Sequence, residues 1–431
     1  MKICLVNKSF SDKVWDGIFT YTHYLAQGLS KHGHEVHILT KHSNSHRLPK
    51  KESDKIFIHQ IKLPWLARAT YFSKLGEILY GLKVYFKFRE IDKKLGIDVV
   101  EAPEAGAEGF WLALFCPQKL VTRLHTPMLI CFKLNGLKIN FGRRVLGLME
   151  KLQIKRSVLL SSPTKSLAQI VSKMWQIEKE KITIIPNPIN IQEFKKYFKA
   201  SQTQEKKYLL YLGRIERLKG VDIFLKSLEI VIEKYPKLSI FFAGGIDQTY
   251  NQDNLKKIPQ KIKKNLVFLG ELSRHQVFAY IQGAQMGILP SLWENLPYTL
   301  LESLASGKVI IASDCGGFKE IIKDNQNGLL VQPGSSQHLA QKIIEGLKLE
   351  KNKIKQIEND AKDTALGYDL KEIIPRIIMF YSKAKILGGT DKKGLNWSKI
   401  SSKRLQTLLR PKGLWGEEQG IENKGRQKLE K

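Results

Sequence analysis

Short runs rich in β-branched and aromatic residues alternate with helical periods along most of this chain. That alternation points to parallel sheets with crossover helices. Two series are present. The first has strand-like runs at 2–7, 35–40, 56–61, 97–101, 120–125, 157–161 and 182–186, and the second at 208–213, 238–243, 266–270, 286–290 and 309–313. The polar, lysine-rich stretch 195–207 between them reads as an interdomain linker. Each series opens with a strand, a turn and an amphipathic helix. Ile18, Tyr21, Leu25 and Leu29 repeat at helical spacing before Gly33, and Val221, Phe224, Leu225, Leu228, Val231 and Ile232 before Pro236. A length of 431 residues exceeds what one core usually serves, so two domains are expected.

A composition of 42% hydrophobic and 26% charged residues is that of a folded protein. The four cysteines, Cys4, Cys116, Cys131 and Cys315, match neither a zinc spacing nor a disulfide framework. The N-terminus carries no apolar run long enough for a signal peptide. No uninterrupted apolar stretch of about 18 residues occurs in the sequence, so a cytoplasmic chain without a spanning helix is expected. Net charge is +30, and residues 1–200 carry 33 Lys and Arg against 16 Asp and Glu, or +17 of it. Such a field favours anionic partners: lipid headgroups, phosphate-bearing substrates or nucleic acid. Lysines scattered into solvent by a lysine-rich composition account for the count equally well.

Three windows carry chemistry. In Ser291-Leu-Trp-Glu-Asn-Leu-Pro-Tyr-Thr-Leu-Leu-Glu-Ser-Leu-Ala-Ser-Gly307, Asn295 can cap a helix whose first turn holds Pro297 and which Gly307 ends. Glu294 then precedes the helix and Glu302 lies inside it, about 7.5 Å along the axis from Pro297. A helix N-terminus can hold a diphosphate, and a carboxylate one turn further in can accept from a ribose diol, although an acid on a helix face is commonly just solvated. In Gly213-Arg-Ile-Glu-Arg-Leu-Lys-Gly220, between a strand and a helix, Arg214 and Lys219 can converge on the same diphosphate. In Trp15-Asp-Gly-Ile18, Gly17 permits close approach to phosphate or sugar.

These windows, with Leu124-His125-Thr126, Ser162-Pro-Thr-Lys-Ser166, Ile185-Pro-Asn-Pro188, Asp314-Cys-Gly-Gly-Phe-Lys-Glu320 and Asn327-Gly-Leu-Leu-Val331, resemble glycosyltransferase family 4 over most of residues 1–385. The resemblance implies the GT-B fold, an α/β architecture of two Rossmann-like domains facing each other across a cleft, and transfer with retention of configuration. It implies that Arg214 and Lys219 bind the donor diphosphate and that Glu294 lies beside the donor sugar. By the same match Asn295 and Leu296 line the donor loop, Glu302 holds the ribose, and His125 approaches the reacting centre. The chain departs from the family where Asp16-Gly17 replaces the usual glycine pair and where Lys308 follows Gly307.

Domain boundaries are expected at 1–195 for the acceptor side and 200–367 for the donor side. A helix at 368–385, overlapping a periodic stretch 365–384 kinked at Pro375, should return to the first domain, and 386–431 should form a basic flexible tail. No Asp-x-Asp pair occurs in the sequence, so no metal and no other cofactor is expected, with the leaving group neutralised by protein cations. The expected partners are a nucleotide-sugar donor and a glycan or lipid-linked acceptor, but no nucleic acid. Basic stretches at 71–94 and 128–155 can rest on an anionic membrane, line the acceptor cleft, or serve as ordinary crossover helices. An epimerase or phosphorylase of the same fold, a non-catalytic nucleotide-sugar-binding protein and a nucleic-acid-binding protein are the alternatives.

Overall fold

A computed structural model describes residues 1–10, 16–42, 51–63, 74–194, 208–247, 250 and 253–390. The linker 195–207, Trp15 and the tail from 391 onward lie outside the described residues. The first lobe is built on β1 (Lys2–Val6), β2 (Glu35–Lys41), β3 (Lys51–Ser53), β4 (Ile56–Ile61), β5 (Val99–Pro103), β6 (Leu120–Arg123), β7 (Leu159–Ser162) and β8 (Ile182–Ile184). These form one sheet in the order β3-β4-β2-β1-β5-β6-β7-β8, parallel except for the charged edge strand β3. The second lobe has β9 (Tyr208–Leu212), β10 (Ser239–Ala243), β11 (Leu266–Gly270), β12 (Met286–Leu289), β13 (Ile310–Ser313) and β14 (Leu329–Val331), all parallel, in the order β11-β10-β9-β12-β13-β14. The central strand β9, Tyr-Leu-Leu-Tyr-Leu, is buried at every position, as a strand covered on both faces must be.

Both sheets reverse their winding direction beside their first strand, between β1 and β5 in one lobe and between β9 and β12 in the other. A crevice opens past the carboxyl ends of the strands at such a point. The loops after β1, β5 and β6 of the first lobe and those after β9 and β12 of the second are therefore the segments placed to form a site.

The carboxyl-terminal segment departs from expectation in two ways. The periodic stretch 365–384 is divided between helices Lys351–Leu366 and Leu370–Thr390, because residues 368–370 leave the helical path to pair with Ile189: Ile189 N–H donates to the Tyr368 carbonyl and Leu370 N–H to that of Ile189. Pro375 lies inside the second helix. That helix also continues through Gly388 and Gly389 to Thr390 where a loose tail was expected. Gly388 is pressed on the first lobe so closely that a Cβ there would stand 1.8 Å from the Gln118 carbonyl oxygen. Close packing, and not freedom, requires glycine at that position. The same helix packs Ile374 on Gly28, donates from the Tyr381 hydroxyl to Glu101 Oε2 at 2.9 Å, and pairs Lys385 with Asp98 at 2.8 Å. All three contacts are with the first lobe.

The basic stretches are helical: Lys74–Leu95 in one, Met128–Leu134 and Phe141–Arg156 in the other, with residues 71–73 outside the described part.

Candidate functional site

The loop after β9 turns through a 3-10 helix, Arg217–Lys219, ending at Gly220, whose φ of +71° and whose place against the Pro290 carbonyl both exclude a side chain. This turn brings Lys219 back over the loop after β12. There its Nζ meets Glu294 Oε1 at 2.5 Å, and the Ser291 hydroxyl supports the same oxygen at 3.0 Å. Arg214, on the preceding residues of the loop, is exposed and is held by Asp247 at 2.8 Å and Glu216 at 2.9 Å. Two cations thus stand at one end of the second lobe, Lys219 paired with one carboxylate and Arg214 with two.

Across from them, Gly17 begins helix Gly17–Lys31, exposed and with open space where a Cβ would project. The Asp16 carboxylate is not free. It caps this helix, accepting from Phe19 N–H at 2.6 Å; burial pushes its carboxyl up, while that bond and the Arg214 charge pull it back. The electrostatic reach of Arg214 to Asp16 ties the loop after β1 to the loop after β9.

The helix after Glu294 runs Tyr298–Ala305, with Pro297 as its N-cap residue and Gly307 in the left-handed region at φ +65° just beyond its end. Asn295 is therefore not the cap. Its side chain is drawn to the other lobe: Nδ2 donates to the His125 carbonyl at 2.6 Å, and Oδ1 accepts from the Thr164 hydroxyl at 2.8 Å. Leu296 follows it, its carbonyl accepting from Asn187 Nδ2 at 2.9 Å, while Asn187 Oδ1 accepts from the buried Arg123 at 2.8 Å. The Gly316-Gly317 turn makes room for this seam. A Cβ on Gly317 would lie 1.6 Å from the Asn295 carbonyl oxygen. Glu320, three residues on, receives Lys165 N–H at 2.9 Å and Ser166 N–H at 2.6 Å, so the windows 162–166 and 314–320 dock on each other.

His125 follows β6 and is half-buried, edge-on to Tyr21 with ring centroids 5.5 Å apart. Burial and then the Arg123 charge hold its imidazole down to about 3, so the ring is neutral near pH 7.

Glu302 has a partner that its own window does not contain. It is 5% exposed and accepts from Arg274 Nη1 at 2.6 Å. Arg274 also reaches Glu193 at 3.1 Å and lies over the rings of Tyr24, Phe194 and Phe278, with its guanidinium carbon 5.0, 5.7 and 4.7 Å from their centroids. Burial raises the Glu302 carboxyl, with Arg274 opposing. The structure therefore gathers Arg214, Lys219, Glu294, Asn295, Leu296 and His125 along the seam between lobes, with Gly17 facing them, and sets Glu302 in an ion pair on Arg274. A ribose would have to share that carboxylate with the guanidinium.

Sequence reasoning passed over Arg274, Glu216, Asp247 and Asn135. Asn135 Nδ2 donates to Glu216 Oε2 at 3.1 Å and its Oδ1 accepts from Leu218 N–H at 3.0 Å, pinning the turn Arg217–Lys219 to the first lobe. Glu104 and Glu150, also passed over, lie beneath the His125 turn. Glu104 follows β5 as His125 follows β6, and that position past a strand is the one signal for it in the sequence. Among the described residues no group of three or more His, Cys, Asp or Glu side chains is arranged to hold a metal ion.

Comparison with known proteins agrees with this geometry. The chain is 26% identical over 315 residues to the N,N'-diacetylbacillosaminyl-diphospho-undecaprenol alpha-1,3-N-acetylgalactosaminyltransferase of Campylobacter jejuni, covering 70% of this chain and 81% of that one. Its fold matches sucrose-phosphate synthase from Thermosynechococcus elongatus with a TM-score of 0.73 at 16% identity, over 89% of this chain and 98% of the other. It matches Anabaena HepE, solved in complex with UDP-glucose, with a TM-score of 0.65 at 17% identity, over 89% and 100%. Residues 15–193 match the family described as Glycosyltransferase Family 4 and residues 193–363 the family described as Glycosyl transferases group 1. With a largely parallel sheet in each lobe and both family models matched, the chain belongs to the group 1, family 4 glycosyltransferases and is a glycosyltransferase of the GT-B fold.

Proposed function

We propose that this glycosyltransferase takes a sugar from a nucleoside diphosphate sugar held by the second lobe and passes it, with retention of configuration, to a glycan or lipid-linked acceptor on the first. The observation that carries this reading is the meeting of Lys219 with Glu294 beside Arg214, opposite the exposed N-terminus of helix Gly17–Lys31. Departure of a nucleoside diphosphate places new negative charge on a phosphate oxygen. Two cations already standing there stabilise it without a metal once the donor diphosphate has replaced their carboxylate partners. As the diphosphate takes Lys219, Glu294 is freed to accept a hydrogen bond from a donor-sugar hydroxyl. The neutral His125 ring can exchange hydrogen bonds with the same sugar. The C1–O bond to phosphate breaks with its electron pair leaving on the diphosphate, and the acceptor hydroxyl attacks from the same face, giving up its proton to the departing oxygen.

A lipid-linked acceptor is favoured by the undecaprenol-linked substrate in the name of the Campylobacter relative. Peripheral contact with an anionic membrane is supported by helix Phe141–Arg156. It exposes Phe141 to 83% and Leu148 to 54% among Arg143, Arg144, Lys151 and Lys155. No described helix is long and apolar enough to cross a membrane. Such an enzyme would work at the inner face of the cell membrane in making cell-surface polysaccharide or glycolipid.

The test is a mass-resolved screen of UDP-, GDP-, ADP- and dTDP-sugars with lipid-phosphate and oligosaccharide acceptors, with the anomer of the product read by NMR. Acceptor-dependent release of nucleoside diphosphate is expected. Turnover without any sugar acceptor would replace the reading by epimerisation or phosphorolysis, and binding without turnover by a sensor.

A further inference from the structure

Two carboxyl groups outside the reaction site hold the turn that carries His125. Glu104, the residue after β5, is fully buried, and its Oε2 accepts the backbone N–H of His125 at 2.7 Å. Glu150, on helix Phe141–Arg156 and equally buried, accepts the N–H of Met128 on both oxygens, at 3.2 and 3.3 Å, and that of Gly106 at 3.0 Å. Reaching Glu150 bends the chain after β5 through two left-handed residues, Gly106 at φ +80° and the buried Ala107 at φ +54°. An alanine in that region is strained by about 1–3 kcal/mol, which the surrounding bonds must offset. Glu104 Oε1 is buried without a hydrogen-bond partner among the described residues.

We propose that Glu104 and Glu150 are positioning residues for transfer, suspending the 125–128 turn by its first and last N–H groups and so fixing where the His125 imidazole stands against the donor sugar. This rests on the reading of His125 as a group that approaches the donor. On the other side the same turn is closed by Asn295, whose Nδ2 holds the His125 carbonyl at 2.6 Å. The peptide groups flanking the His125 side chain are thus held from both lobes.

The two carboxyl groups divide the work by charge. Burial lifts Glu104 to about 7, against the pull of the His125, Ala105 and own backbone N–H groups and of Arg123 on β6. Burial and then the Glu104 charge raise Glu150 well above the usual range, against the N–H groups of Gly106 and Met128. Cys131, which feels both carboxyls along with Lys219 and Glu216, is itself pushed up by burial to about 12 and stays neutral. Near neutral pH the pair therefore keeps a proton on Glu150 and gains its one negative charge on Glu104, where the charge shortens and strengthens the bond from His125 N–H. The His125 ring, held to about 3, does not supply an ionisation near neutrality; burial also lifts Glu108 to about 8, and Glu104→Gln tells that group from the carboxyl pair.

The experiment uses the full chain, Glu104→Leu and Glu104→Gln. Turnover is followed against pH with whichever nucleotide sugar the screen shows to react, and UDP binding by calorimetry. Exchange of the 125–128 amides is followed by mass spectrometry. Wild-type kcat should rise through an ionisation at about 7. Glu104→Gln, which keeps an acceptor oxygen but no charge, should lose that rise and hold the wild type's acid-limb turnover across the pH range. Glu104→Leu should lose roughly tenfold in kcat, the worth of one buried hydrogen bond, with faster exchange at 125–128 and UDP affinity within about twofold of wild type. Unchanged kcat and exchange in Glu104→Leu, or a rise that persists in Glu104→Gln, would overturn the proposal. A wild type that turns over no donor refutes the transferase reading, and the exchange measurement then still decides whether Glu104 holds the turn.

Discussion

Replacing Arg274 by methionine breaks the buried pair that the helix Tyr298–Ala305 forms with its neighbour, and releases Glu193 as well. The side chains of Arg274 and Glu302 are 9% and 6% exposed, and Arg274 Nη1 meets Glu302 Oε1 at 2.6 Å. Methionine fills much of the volume among Tyr24, Phe194 and Phe278 but leaves the Glu302 carboxylate buried with nothing to balance it. Removing one partner of such a pair costs about 3–5 kcal/mol. The pH dependence follows from the direction of the Glu302 shift. Its carboxyl is already raised in the folded protein, and loss of Arg274 raises it further. The folded variant then holds a proton that the unfolded chain has released, so its deficit against wild type should be smallest at acid pH. It should grow as pH rises from the unfolded value toward the higher folded one. Thermal melts of both proteins by circular dichroism at a series of pH values measure this. Glu302→Gln, which keeps an acceptor for Arg274, should lose less, and Arg274→Met with Glu302→Gln should lose less than the two singles added together. An Arg274→Met deficit below about 1 kcal/mol, or one that does not vary with pH, would show that the pair does not carry the charge balance assigned to it. Calorimetry with UDP on Glu302→Gln gives the functional side: weakened binding is expected if the ribose shares this carboxylate.

Three further outcomes follow from the site. Activity should survive exhaustive EDTA and collapse in the Arg214→Ala/Lys219→Ala double variant, whereas loss with EDTA and rescue by Mn²⁺ would defeat metal-independent transfer. Gly317→Ala, which drives a Cβ to 1.6 Å from the Asn295 carbonyl oxygen, should lower stability by about 3 kcal/mol, the upper end of overpacking; a wild-type melting curve would contradict the close approach. Co-sedimentation with anionic vesicles should fade between 0.1 and 1 M salt as the Debye length falls from about 10 to about 3 Å. Neutral vesicles should bind weakly throughout, and equal binding to both lipids would leave the basic first lobe without this role.

The strand series and the opening helices of both lobes were legible in the sequence, because each is written within some twenty consecutive residues as a hydrophobic period closed by glycine or proline. The family resemblance named Arg214, Lys219, Glu294 and His125, and the structure sets all four along one seam between the lobes. Two short strands, β3 and β14, escaped: β3 is Lys-Glu-Ser with no apolar residue, and β14 is a three-residue apolar run without a period to read. What the tertiary structure alone decided is whom these residues meet. Asn295 was a local cap in the sequence and became a bond to a carbonyl 170 residues away; Glu302, on the face of its own helix, became the partner of Arg274, 28 residues upstream. Gly388 appeared free and proved packed on Gln118. A residue's own neighbours set its backbone conformation, but a buried carboxylate, amide or glycine takes its role from the group that shares its space. That group is brought there by the sheet order, which no local window contains.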